Sequence, residues 1–482
     1  MERKKERMKK FLLWVVVLMA FIGYGFLFYV PEGKAIPAFA RKYNFACNTC
    51  HVPSFPKLND FGNVFRDQGY QLGAEEDLPT SEGITMGFWP VSFRTTVGYQ
   101  SASLRADGSG ISSGSFGFTG LDILSFGTLA RNVTFGMVLT PTIGSAGFGT
   151  GGDDGDLEAA FIRLDNLERF LGVKKEDSYL LNFKVGKFEI DVPFSEKRSP
   201  TLNSDFVMYH YSPGTPFTTA LGDLTTLGPG YKNPNDFQIG ENQPAAELFG
   251  YTTTPGDGYF RYALELLSNS NINGTGLGGG RGFTFFGHVT QSLGGYGIVR
   301  GQRIGLFGAV GDAPTLGNQV SAMPTTPDPG LAGGGKRFSR IGADMSLTYD
   351  GQWNLFGAYM YARDSRGIFA RNIANAQSAK WHGAFVELDW YPTRLPFVDQ
   401  HGWMFIYRYD LIRNEQQGDK TFASNFNDVN SHTVMARYNF HLSTRTAVAL
   451  HLEFNTTEAN NVGALGGDGR SKGFLAGLDF VL

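Results

Sequence analysis

The stretch IGADMSLTYDGQWNLFGAYMY, residues 341–361, reads as two extended segments joined by a tight turn. Ile341, Ala343, Met345, Leu347 and Tyr349 alternate with Asp344, Ser346 and Thr348. A period of two puts successive side chains on opposite faces of a strand. Asp350-Gly351 is a strong hairpin signal, because both residue types tolerate the positive φ of a type I′ turn. The chain then returns through Trp353, Leu355, Tyr359 and Tyr361 with the same parity.

The pattern spreads outward from this hairpin. Phe260, Tyr262, Leu264 and Leu266 alternate with Arg261 and Glu265, and Trp89 to Tyr99 alternates with Arg94 on the other face. The same parity runs through Ala384 to Trp390, Trp403 to Tyr409, Val434 to Leu442, Val448 to Phe454 and Phe474 to Leu482. Segments of about ten residues with aromatics toward their ends have the length and dress of transmembrane β-strands. The opposite faces carry Arg340, Asp344, Glu387, Asp389, Arg408, Asp410, Arg437, His441, Glu453 and Asp479. Alternation alone does not separate a soluble sandwich from a membrane barrel, and the connections decide. Strands starting near residues 88, 116, 132, 157, 179, 244, 258, 283, 302, 338, 352, 382, 402, 432, 446 and 472 leave gaps that alternate long and short. The long ones (100–115, 142–156, 191–243, 268–282, 312–337, 364–381, 413–431 and 455–471) are rich in Gly, Asn, Asp, Ser and Pro. Outer-membrane barrels pair short periplasmic turns with long outer loops. The expectation is an all-β chain: a transmembrane antiparallel β-barrel of about 16 strands over residues 87–482. An even strand number leaves both barrel ends in the periplasm. Phe206–Tyr211 is either a further strand or part of a loop folded inward.

Composition agrees. Glycine supplies 64 of 482 residues and aromatics 14%, while charged residues reach only 18% against a usual level of about 25%. That balance suits a twisted, closed sheet. With 42 basic and 45 acidic residues the net charge is −3, so nothing directs the chain to nucleic acid.

The amino terminus has its own logic. MERKKERMKK is basic, and Phe11 to Val30 is apolar without a charge. Small residues follow, allowing cleavage after Ala35 or Ala40. This is the layout of a secretory signal peptide, assigned to residues 1–35. The apolar run is also long enough for a retained membrane anchor. Either way Cys47 lies outside the cytoplasm.

Residues 36–86 contain both cysteines of the chain, in Cys47-Asn48-Thr49-Cys50-His51. C-x-x-C-H is the attachment signature of c-type haem. Two thiols three apart on a helical turn reach the two vinyl groups of one porphyrin edge, and the following imidazole sits beneath the iron as proximal ligand. The plainer alternatives are a disulfide across three residues, which closes too small a loop to stabilise much, and a zinc site, which needs further nearby ligands. The next histidine is His210. Leu58, Phe61, Val64 and Phe65 share one face of a short helix that Gly69 can end. A segment this short is marginal as an independent fold, so it leans on the barrel or plugs it from the periplasmic side. Met86 is the first candidate for the sixth ligand; a barrel-lining histidine such as His441 or His451, or an open or water-bound site, are the others. Asp153, Asp154, Asp156 and Glu158 form the densest acidic cluster, which oxygen-seeking Fe(II) could use but which reads first as a solvated outer loop. Arg94, Arg261, Arg340, Arg408 and Arg437 read as members of charge networks in the lumen.

A signal peptide, one C-x-x-C-H and a sixteen-strand barrel in a single chain resemble the fused cytochrome–porin family of outer-membrane proteins associated with iron-oxidising bacteria. The resemblance is densest at Ala38-Phe39-Ala40-Arg41-Lys42-Tyr43, at the haem motif, at Phe55 to Gly62, at Gly69-Tyr70 and at Val185 to Ser195. It implies one haem c held by Cys47, Cys50 and His51, and oxidation of extracellular Fe(II). It further implies electrons passing inward across the bacterial outer membrane to a periplasmic c-type cytochrome. The alternatives are another donor or acceptor, outward electron flow, or a transport porin whose haem is structural.

Overall fold

The computed structural model describes residues 38–43, 45, 47–52, 56–72, 90–141, 157–173, 179–214, 218–219, 222–223, 235, 237–256, 258–268, 283–294, 302–313, 337–370, 374–392, 402–442, 446–462 and 466–481. The assigned signal peptide and Met86 lie outside the described residues.

Sixteen antiparallel strands close into one barrel. In chain order they are β1 (Val91–Ala106), β2 (Ser109–Ala130), β3 (Val133–Leu139), β4 (Leu157–Leu164), β5 (Tyr179–Glu189), β6 (Asn242–Thr254), β7 (Gly258–Ser268) and β8 (Phe283–Ser292). They continue as β9 (Arg303–Asp312), β10 (Arg337–Tyr349), β11 (Trp353–Asp364), β12 (Ala379–Trp390), β13 (Trp403–Gln416), β14 (Val429–Leu442), β15 (Ala447–Ala459) and β16 (Gly469–Val481). Each strand pairs with its neighbour in sequence, and β1 pairs with β16 from Arg94↔Val481 to Arg105↔Arg470, sealing the wall. Closure leaves no unpaired sheet edge for the bilayer to meet.

The hairpin at 341–361 forms as its sequence requires. Tyr349 pairs with Trp353 across Asp350-Gly351, whose φ values are 52° and 61°. Burial is inverted relative to a soluble fold. Ile341 is 65% exposed on the outside, whereas Arg340 and Asp344 are 5% exposed on the inside. Leu264, Phe285, Leu306, Val386, Val434 and Leu450 extend the outer apolar band around the barrel. At the end bearing the short turns, Trp353 stacks on Trp390, Trp390 on Phe405, and Trp403 on Phe405 and Tyr438. An apolar belt with an aromatic girdle is the surface of a barrel standing in the bacterial outer membrane, its short turns toward the periplasm.

One expected connection is corrected. Residues 100–115 are not a loop: β1 and β2 run on as a ladder to Asp107-Gly108, whose φ values of 48° and 78° make the same tight turn as Asp350-Gly351. The described part of the β5–β6 connection, within residues 190–241, by contrast folds inward. Its short helix Val207–His210 and Ile190, Val192, Phe206, Tyr209 and Ile239 pack on the lumen residues Phe286, Phe307, Phe356, Trp381 and Phe385. Phe206 stacks on Phe385 at 4.0 Å. The lumen therefore has an apolar core at mid-height within an otherwise charged lining.

Candidate functional site

Among the described residues, three short helices precede the barrel: α1 (Ala38–Tyr43), α2 (Cys47–Cys50) and α3 (Asp60–Asp67). The single turn of α2 sets Cys47 and Cys50 three residues apart with His51 directly after it; the side chain of Cys47 lies outside the described residues. The backbone folds back sharply after His51. His51 bridges to Leu58, and the Val52 amide donates to the Lys57 carbonyl at 2.9 Å. Asn59 ties this turn to α3. Its Nδ2 donates to the Thr49 carbonyl at 2.9 Å, its backbone N–H to the Cys50 carbonyl at 2.9 Å, and its Oδ1 caps α3 by accepting from the Gly62 amide at 2.9 Å. Gly62 is required by this approach, since a Cβ there would run into the Cys50 carbonyl.

The His51 ring is oriented by its own chain. Nδ1 lies 3.2 Å from the Pro56 carbonyl oxygen, which only accepts, so Nδ1 carries the proton and Nε2 the lone pair. Burial lowers the imidazole pKa to about 4, against the opposing pull of the Pro56 and Lys57 carbonyls. His51 is therefore neutral at physiological pH, the form in which imidazole binds metals, and a ring N–H donated to a carbonyl is the usual second partner of a metal-bound histidine. Around this turn lie Phe39, Tyr43, Phe45, Phe61, Phe65 and Tyr70, with ring centroids 5.0 Å apart for Phe39 and Tyr70 and 5.7 Å for Phe45 and Phe61. A helical C-x-x-C-H turn, an oriented neutral imidazole and an aromatic surround fit a c-type haem.

The segment is clamped inside the short-turn end of the barrel. Lys57 forms an ion pair with Asp389 of β12 and donates to Asn354 of β11 at 3.1 Å. Its ammonium also lies 4.4 Å from the Phe356 ring centroid. Asp67 accepts from Tyr259 Oη at 2.7 Å and pairs with Arg261 of β7 at 3.2 Å and with Arg66 at 2.9 Å. Burial disfavours its charge, yet Arg66, Arg261 and the Tyr259 hydroxyl outweigh that and hold the carboxyl below the usual range. Arg163 of β4, braced by Asp165 at 2.5 Å, donates to the carbonyls of Arg66 and Asp67 that end α3. Val52 is buried with Tyr391, Met404, Ile406 and Met435, worth about 1.5–3 kcal/mol for a valine. Sequence reading put Asp389 on the polar face of its strand but gave no role to Pro56, Lys57, Asn59 or Arg163. The wall partners lie roughly one hundred to over three hundred residues away along the chain.

Beside α3 lies a cavity of about 170 Å³, lined by Lys57, Asn63, Arg66 and Asp67 and by Asp191, Phe194 and Arg198 of the inward loop. Charges alternate along one side of it. Arg261 joins Asp67 to Asp191, and His288 lies 3.0 Å from Asp191 and 3.1 Å from Asp344, which pairs with Arg303 at 2.9 Å. Carboxylates only accept, so His288 donates from both ring nitrogens. The inward loop is pinned separately. Leu202 and Asn203 amides donate to Glu453, and the Val207 amide donates to Asp410, which pairs with Arg408 at 3.0 Å.

The remaining candidates separate. His451 is fully buried in the lining and lies 3.0 Å from Glu453. The bulge between Asn439 and His441 shifts the register of β14, so parity does not carry through to His441, whose side chain lies outside the described residues, as do Asp153, Asp154 and Asp156. Glu158 is occupied by Lys197 at 3.1 Å and by the Thr140 hydroxyl at 2.8 Å. The five arginines read as charge-network members are so engaged. Beyond those above, Arg94 and Arg437 meet at Asp479, at 3.4 and 2.7 Å, and Arg340 pairs with Asp364 at 2.8 Å.

No protein-family model and no curated protein matches this chain. Among solved structures the barrel is similar to an anion-selective porin from Comamonas acidovorans, with 13% identity and a TM-score of 0.45 over 81% of this chain and 99% of that one. It is also similar to OccK9 (OpdG) of Pseudomonas aeruginosa, with 13% identity and a TM-score of 0.41 over 81% and 98%. A third is the outer membrane channel DcaP of Acinetobacter baumannii, with 10% identity and a TM-score of 0.41 over 81% and 97%.

Proposed function

We propose that this outer-membrane barrel is the insulating sheath of a one-haem electron carrier, a member of the cytochrome–porin type, which takes electrons from extracellular Fe(II) and passes them to a periplasmic c-type cytochrome. The observation that carries the reading is the C-x-x-C-H turn built into a helical plug that the lumen clamps with Lys57, Asp67 and Val52. Bound through Cys47 and Cys50, haem c supplies a reversible one-electron iron centre. The chain's own residues do the rest. His51 offers Nε2 to the iron while Pro56 fixes its ring, the aromatic surround excludes water, and the wall holds the segment at the periplasmic mouth.

The placement answers a physical need. Fe(III) is insoluble near neutral pH, so oxidation belongs outside the envelope, and the hydrocarbon core to be crossed is about 30 Å thick; a haem inside the periplasmic mouth would shorten that span without closing it. Two fillings of the lumen, the plug and the inward loop, favour an electron sheath over a solute pore. The test is a reduced-minus-oxidised spectrum of the purified, membrane-extracted protein with and without Fe(II), together with planar-bilayer conductance. A covalent haem reduced by Fe(II) in a poorly conducting barrel is expected. A chain without covalent haem, or a wide pore that Fe(II) leaves unchanged, overturns the reading.

A further inference from the structure

The periplasmic face of the barrel carries one apolar platform that the strand pattern does not account for. Between β4 and β5 a 3-10 turn, Leu167–Leu171, stands beyond the ladder. Arg169, Phe170, Leu171, Gly172 and Val173 are consecutively exposed, Phe170 by 85% and Leu171 by 73%. Glu168 is turned inward and accepts from the Leu180 and Leu181 amides, and Arg169 beside it is exposed. The adjoining β2–β3 hairpin adds exposed Leu129 and Arg131.

Both hairpins are tied to the end of the plug. The Asn132 amide donates to Gln71 Oε1 at 3.4 Å, and the Asp165 amide to the Asn132 carbonyl at 2.7 Å. Asp165 also packs beside Gly69. The aromatic surround of His51 leans the same way, with Tyr70 5.6 Å from Phe126 of β2. From these placements, and resting on the function proposed above, we infer that Leu129, Arg131, Arg169, Phe170 and Leu171 form the docking surface for the electron acceptor, a small periplasmic protein with an acidic rim around its redox centre.

Two observations favour a protein over lipid as the occupant. The girdle residues Trp353, Trp390 and Trp403 are the first or last residues of their strands, whereas Phe170 and Leu171 lie beyond Leu164, the last residue of β4. The platform also combines an apolar centre with a basic margin, the make-up of a charge-steered, transient interface.

The test uses the purified full-length protein in nanodiscs of zwitterionic lipid and a small monohaem cytochrome c with an acidic face as probe. Binding is read by calorimetry at low and high salt. Wild type is expected to bind at low salt and to weaken at least tenfold at high salt, with Phe170→Ser/Leu171→Ser and Arg131→Glu/Arg169→Glu each weakening binding at least tenfold. Reduction of the bound haem by Fe(II), measured alone, should be unchanged in these variants, which separates failure of docking from failure of the proposed function. Absence of wild-type binding, or variants that bind like wild type, overturns the inference. So does a Phe170→Trp variant whose added fluorescence is quenched by brominated lipid, which would assign the turn to the membrane.

Discussion

Removing one charge from the plug tests the clamp that the proposed function depends on. Asp67 is 2% exposed and answers Arg66, Arg261 and the Tyr259 hydroxyl together. Asp67→Asn keeps the shape but leaves Arg66 without its ion-pair partner and Arg261 with Asp191 alone. Breaking a buried ion pair by removing one partner costs about 3–5 kcal/mol. Because Asp191 still serves Arg261, the lower end applies, about 3 kcal/mol, or roughly a hundredfold in the docking equilibrium. The cost falls on the plug, since no ladder hydrogen bond of the barrel involves Asp67. Hydrogen exchange in detergent is the assay. The amides of Gln68 and Tyr70, bonded to the Val64 and Phe65 carbonyls at 2.9 Å, should exchange about a hundredfold faster, while amides of β10 and β11 keep their protection. Unchanged exchange at Gln68 and Tyr70 refutes the clamp. Equal loss of protection in β10 and β11 refutes the separation of plug from wall.

Further outcomes follow from other contacts. Asn59→Ala removes the cap of α3 and should cost about 1 kcal/mol, read as faster exchange of the Asn63 amide at unchanged barrel melting. His51→Ala should change the haem absorption spectrum by removing the proximal ligand, whereas Cys47→Ala/Cys50→Ala should yield a protein from which any haem is extracted by acidified solvent. In the inward loop, burial pulls down the His210 pKa, but the Glu196 carboxylate 2.6 Å away more than offsets it and raises it to about 10. A raised histidine contributes fully below its unfolded pKa of about 6.5 and is lost progressively as pH rises from there through about 10; bilayer conductance should therefore stay flat from about pH 5 to 6.5 and rise between about pH 6.5 and 10. Gly240→Ala should mimic the alkaline state at neutral pH, because its Cβ would fall between Glu196 and His210.

The strand pattern was legible wherever lipid writes it. Residues 341–361 carry both an outward apolar period and an Asp-Gly turn, and the hairpin lies where the sequence sets it. The ladder through 100–115 was not legible, because Ser109 to Ser115 is nearly all glycine and serine and gives no apolar period to read. Its Asp107-Gly108 turn is the same signal as Asp350-Gly351 and was available. The C-x-x-C-H pattern is visible in the sequence because it is local to five residues. Its support is not: Lys57 meets Asp389 across the lumen, and a polar residue facing inward gives no sign of which other inward residue it will meet. His441 marks a third limit, since one bulge cancels a parity argument for everything beyond it.

Sealing of β1 against β16 bears on how the molecule is made. The plug precedes β1, and its grips come from β4, β7, β11 and β12, so shutting the last seam encloses a passenger already in place. Enzymes that attach a porphyrin to thiols need access from all sides, which a finished cylinder denies them. On the function proposed above, maturation runs in one direction, cargo before container, and a chain that closed without the proposed pigment would have no simple way to acquire it afterwards.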